Sequence, residues 1–180
     1  MDKARREDTE QHCLEYPQEL LEKGTLDLAL TYNNKAGVKF HLPALMTASM
    51  DGFGSTAALS VFGTLCLNNF QKKPHDGHRE YVAFLKSVDV SKIIHYYDFS
   101  PEQIHAIALY FLYDMHREKF YNFFDSKEEQ IAAVTRRHEQ YKKHASEGNY
   151  VLTLEDAIVI QDEEHRIVRD WFKAGGLVLE

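Results

Sequence analysis

The stretch FSPEQIHAIALYFLYDM, Phe99 to Met115, decides the fold class. Ser100 is a capping residue, Pro101 suits the first helical position, and Gln103 stands three residues after the cap, where a capping box closes. Phe99 and Ile104 occupy the two positions of a hydrophobic staple. Ile104, Ile107, Ala108, Phe111, Leu112 and Met115 then recur at three- and four-residue steps, which lays one apolar stripe along a helix. Such a stripe needs other helices to cover it. The stretch is therefore read as the central helix of an all-α fold, a single compact multi-helix domain over residues 1–180.

Upstream, Val82, Leu85, Val88, Ile93, Ile94 and Tyr97 form a second helical stripe, broken around Ser87 to Ser91. Asn68 to Gly77 (NNFQKKPHDG) is the longest run of turn-forming residues and reads as a surface loop. Before it, Ser55 can cap a helix carrying Ala57, Ala58, Val61, Phe62 and Leu65, and Gly52 and Gly54 separate that helix from Val38 to Met50. Pro43 lies inside the latter, so the helix either starts near it or bends there. Thr25 to Tyr32 alternates apolar with polar residues; a short strand and a continued helix both fit. Residues 1–12 are charged and read as frayed, and Pro17 opens a short helix that Gly24 stops.

Downstream, the rings of Phe120, Tyr121, Phe123 and Phe124 are expected to be buried. Ser126 and Glu129 are in capping-box register for KEEQIAAVTRRHEQYKKH, a polar helix whose narrow apolar line is Ile131, Val134 and Tyr141. Its polarity places it on the outside of the domain. Thr153 caps the last helix, with Asp156 three residues on. Its core side is Ala157, Ile158, Ile167, Val168, Trp171 and Phe172, and Gly175 and Gly176 stop it. The run Asp162, Glu163, Glu164 interrupts that pattern, as a bend or as a solvated face. Residues 126–174 thus form a C-terminal helical part.

The 180 residues carry 21 basic and 28 acidic side chains, a net charge of -7, which argues against a broad phosphate-binding surface and against nucleic acid as a partner. Two cysteines, Cys13 and Cys66, are too few for a disulfide framework or a cysteine zinc site. No run approaches the roughly 18 apolar residues of a membrane span, and residues 1–12 lack the apolar core of a signal peptide. A cytoplasmic protein is the expectation, with no membrane partner.

Two pieces carry a resemblance. KFHLPALMTASMDG, residues 39–52, contributes Phe40, Leu42, Pro43 and Ala44, and YDFSPEQIHAIALYFLYDM, residues 97–115, contributes Phe99, Ser100, Pro101, Glu102 and Gln103. Together they resemble the paired signatures of a bacterial domain family of unknown function, an aromatic Leu-Pro-Ala helix followed by Phe-Ser/Thr-Pro-Glu-Gln and an apolar helix. The likeness covers about Leu26 to Met115, with residues 39–115 as the family-like core. It implies no activity and no catalytic residue.

Ten histidines raise the question of a metal. Glu102 with His105, and Asp162 with His165, have the carboxylate-x-x-histidine spacing that aims two ligands into a helical bundle, and together they define a candidate metal-dependent enzyme site. Against it, Glu102 lies in a first helical turn, where the helix dipole favours a carboxylate without any metal. His75 and His78 flank Asp76 and Gly77 in the long loop with no third ligand specified, and His138 and His144 fall on different sides of one helix. No G-x-S-x-G elbow, P-loop or G-x-G-x-x-G is present, and Cys66 reads as a small buried hydrophobe. No cofactor is expected. Arg136, Arg137, Lys142 and Lys143 read as a solvated helix face.

Between residues 147 and 180, eight acidic side chains face three basic ones. An acidic face steers and docks a basic partner, and equally keeps a protein soluble. The functional expectation is a non-enzymatic protein-binding module, most concretely an immunity protein that neutralises a basic bacterial toxin. Asp156, Asp162, Glu163 and Glu164 are its candidate contact residues.

Overall fold

The computed structural model describes residues 35–50, 61–65, 78–118, 126–144 and 152–178. All regular structure among them is helical: α1 (Lys35–Met50), a helical segment at residues 61–65, α2 (His78–Ser87), α3 (Val90–Tyr97), α4 (Pro101–Glu118), α5 (Lys127–His144) and α6 (Leu154–Ala174). The all-α expectation holds. Expectations for residues 1–34, including the strand-or-helix question at residues 25–32, lie outside the described residues, as do those for Gly52 to Ser60, Asn68 to Gly77 and the rings of residues 120–124. His78 opens α2.

Chain packing divides into two compact units. The first comprises residues up to Asn69 together with Ile93–Asp98, the second Phe70–Lys92 together with Phe99–Glu180, so the chain changes unit within α3 and again after Asp98.

In the first unit, α1 buries Val38, Leu42, Ala44, Leu45 and Ala48, residues 61–65 bury Val61, Phe62 and Leu65, and the end of α3 buries Ile93 and Tyr97. Pro43 neither starts nor ends α1: the helix runs through it, and the Thr47 hydroxyl donates to its carbonyl at 3.0 Å. Burial, then the neighbouring Tyr96, pushes the Tyr97 phenol up to about 12. Asp98 ends α3 with a positive φ of 56°, and its carbonyl accepts from Lys39 Nζ at 2.7 Å, which ties α1 to that turn.

In the second unit α6 packs against α2, α4 and α5. Its sequence reads as the core of this unit because Ile167, Val168, Trp171 and Phe172 are all buried. Trp171 meets Phe99 and Phe111 of the stretch around α4, with ring centroids 6.4 and 6.2 Å apart. The capping box of α4 forms in both directions: Gln103 Oε1 accepts from the Ser100 amide at 3.0 Å, and the Ser100 hydroxyl accepts from the Gln103 amide at 3.3 Å. Ile107, Ala108 and Phe111 are buried as the stripe demands, and Tyr110 joins them.

The break in the second stripe falls at residues 88 and 89. There the Asp89 carboxylate caps α3 by accepting from the Ser91 amide at 3.0 Å and the Ser91 hydroxyl at 2.6 Å. The second contact is the main reason that carboxyl lies below its usual value. The end of α6 is a Schellman motif: the Leu177 amide donates to the Phe172 carbonyl at 2.8 Å and the Gly176 amide to Lys173 at 3.2 Å, with Gly176 at φ +73°. Gly175 is there for a different reason. A Cβ on it would stand 2.4 Å from the Ala108 Cβ, so α6 ends close against α4 only because that side chain is absent.

Candidate functional site

The four residues of the candidate metal site fall into separate places. Glu102 accepts from the Ser100 hydroxyl at 2.7 Å, and this bond, with the backbone amide of Glu102 itself, holds its carboxyl below the usual range. It is part of the α4 cap. His105 bonds the Gly175 carbonyl through Nδ1 at 2.8 Å, which makes Nδ1 the donor and seats the ring on the C-terminal end of α6. Asp162 and His165 lie further up the same helix, thirteen and ten residues before Gly175, or roughly 20 and 15 Å at the rise of an α-helix. The two pairs therefore do not converge. Among the described residues no group of three or more His, Cys, Asp or Glu side chains is arranged to hold a metal ion.

What the structure does assemble is a polar seam where α5 lies along α6. α5 starts at a Ser126 cap, whose hydroxyl accepts from the Glu129 amide at 3.1 Å. The face it turns inward runs through Lys127, Gln130, Val134 and His138, at steps of three and four. Gln130 and Val134 are buried, whereas Ile131 is 39% exposed. This corrects the expected apolar line: Val134 belongs to it, but Ile131 faces outward and a glutamine takes the inward place. The cause lies on the partner helix. Asp162 Oδ1 accepts from Gln130 Nε2 at 2.9 Å and from Lys127 Nζ, so an amide and an ammonium at these positions bond a carboxylate for which an isoleucine has no donor. Burial works to raise the Asp162 carboxyl, but the bonds from Lys127 and Gln130, with the nearby charges of Lys127 and His165, outweigh it and leave it below its usual value. At the other end of the seam His138 Nε2 donates to the Leu152 carbonyl at 2.6 Å.

The acidic run of α6 is neither a bend nor a fully solvated face. The helix continues unbroken through it, and Asp162, Glu163 and Glu164 are all half-buried between the buried Gln161 and His165. Asp156 serves the cap: the Thr153 hydroxyl accepts from the Asp156 amide at 3.1 Å and donates to Asp156 Oδ2 at 2.7 Å. Glu163 Oε2 accepts from Arg166 Nε at 2.7 Å. Burial pushes the Glu164 carboxyl up to about 7, with the Arg137 charge pulling in the opposite direction. Its shift is thus opposite to that of Asp162 on the same run.

Arg166 is the residue that sequence reasoning passed over. Beyond Glu163 it donates through Nη1 to Asp170 at 3.0 Å, and through Nη2 to the carbonyls of Leu85 at 2.9 Å and Val88 at 3.2 Å. Leu85 lies in the last turn of α2 and Val88 just beyond it, so one guanidinium ties the C-terminal end of α2 to α6. The spacings to Glu163 and Asp170 were visible in the sequence; the two carbonyl acceptors were not.

No protein-family model, curated protein or solved structure matches this chain.

Proposed function

We propose that this chain is a protein-binding module that works by docking rather than by catalysis, in the cytoplasm, and that its most concrete form is an immunity protein that blocks a basic bacterial toxin. The supporting observation is the state of the carboxylates on α6. Asp156, Asp162 and Glu163 each use a single oxygen for bonds among the described residues, Oδ2, Oδ1 and Oε2 respectively, so each is held in one orientation with its second oxygen still able to accept. Carboxylates fixed in advance lose less side-chain entropy on meeting a lysine or arginine, which favours tight docking. The acidic balance of residues 147–180 and the net charge of -7 add long-range attraction for a basic partner. The resemblance of residues 39–115 to a bacterial domain family fits the same setting. Among the described residues no helix is long and apolar enough to cross a membrane.

The test is a growth assay in the native host or a close surrogate. Genes for immunity proteins sit beside the toxins they block, so the product of the neighbouring gene is expressed alone and together with this chain. Arrested growth in the first case and restored growth in the second is the expected result. Restoration should fail for a chain carrying Asp156→Asn, Asp162→Asn and Glu163→Gln. A neighbour that is harmless alone, or rescue that survives the triple substitution, sinks the proposal.

A further inference from the structure

We infer that α5 is a detachable arm, latched to α6 by polar groups and released while the rest of the second unit stays folded. The other helices of this unit are held by apolar side chains: α4 buries Ile107, Ala108, Tyr110 and Phe111, α2 buries Phe84 and Leu85, and α6 buries Ile167, Val168, Trp171 and Phe172. α5 differs. Among its described side chains only Val134 and Gln130 are buried, and among the described helices it packs extensively against α6 alone. The bonds that hold it sit at two points. Near its start, Lys127 and Gln130 converge on Asp162; near its end, His138 holds the Leu152 carbonyl.

The first latch is open to water, with the Lys127 and Asp162 side chains 50% and 44% exposed, so salt and competing ions reach it. Water replaces such bonds at little cost, whereas it cannot replace the contacts of Trp171 or Phe111. Elements with few buried apolar contacts open first, as cooperative pieces, below the free energy of global unfolding. Opening frees Asp162 Oδ1 from Lys127 and Gln130. The release itself depends on nothing assumed about a partner.

Hydrogen exchange of the full chain, read by mass spectrometry under native conditions, tests this. Amides of residues 131–140 should exchange at least about 100-fold faster than those of residues 167–172, as expected for opening below the global limit. Lys127→Met and Asp162→Asn should each speed the α5 amides further, by roughly three- to tenfold, the range of a partly exposed charge pair with its hydrogen bond. Both should leave α4 and residues 167–172 unchanged. Raising the salt from low to about 0.5 M should act in the same direction on the wild type and have little effect on Lys127→Met. Equal exchange in α5 and α6, or substitutions that speed both helices alike, overturns the inference.

Discussion

Replacing Glu164 by Gln should stabilise the second unit at alkaline pH and remove the loss of stability that ionisation of this one carboxyl brings as pH rises. Burial raises this carboxyl from an ordinary value of 4.5 to about 7. A raised pKa means that the folded chain holds the proton more tightly than the unfolded chain. Below about pH 4.5 both forms are protonated and the folded state is not penalised. Between there and pH 7 the unfolded chain loses its proton first, so stability falls as pH rises, and above pH 7 the loss is complete. A difference of about 2.5 units corresponds to about 3 kcal/mol, an upper figure for a half-buried group that water partly reaches. Gln keeps the shape without the charge, so at pH 8 the variant should gain up to that amount and at pH 4.5 should match the wild type. Urea unfolding followed by fluorescence is well suited, because Trp171 is the chain's one tryptophan and lies in the core of the same unit. Wild type and Glu164→Gln that run parallel from pH 5 to pH 8 would refute the reasoning, as would a Glu164 carboxyl titrating below pH 5 by NMR.

Arg166→Met should cost about 1–3 kcal/mol, since it takes from Glu163 and from the Val88 carbonyl the donor that Arg166 supplies, while Asp170 keeps Lys173 and the Leu85 carbonyl keeps the Val88 amide. Arg166→Lys should recover only part of this, because one ammonium cannot reach all four acceptors; chemical denaturation of both variants measures it. Gly175→Ala should cost about 1–3 kcal/mol by driving a methyl into Ala108, and adding Ala108→Gly should restore more than half of the loss in a thermal melt.

The parts that could be read from the sequence are those whose cause is local. The caps at Ser100, Ser126 and Thr153 each depend on a residue three positions away, and all three form. The α4 stripe and the α6 core follow from periodicity in the same way. What escaped reading depends on residues distant in the chain. Nothing near Gln130 indicates that it displaces Ile131 from the inward face; the reason is Asp162, 32 positions on. Arg166 looked like one charge among many because its acceptors are backbone carbonyls 81 and 78 residues away, which leave no mark in side-chain spacing. The two carboxylate-x-x-histidine pairs show the converse. Each has a spacing suited to a metal, yet His105 is committed to the end of α6 and Asp162 to α5, so local register alone does not create a site.

The proposed function meets its most direct test in the salt dependence of one affinity. With the product of the neighbouring gene purified, its dissociation constant for this chain is measured by calorimetry at about 0.05 and 0.3 M salt, for the wild type and for Asp156→Asn, Asp162→Asn, Glu163→Gln combined. Docking through these acidic residues of α6 requires wild-type affinity to weaken at least tenfold with salt, and the triple variant to be weaker at low salt and nearly insensitive to it. An affinity that neither the salt nor the three substitutions change, or no binding at all, contradicts it.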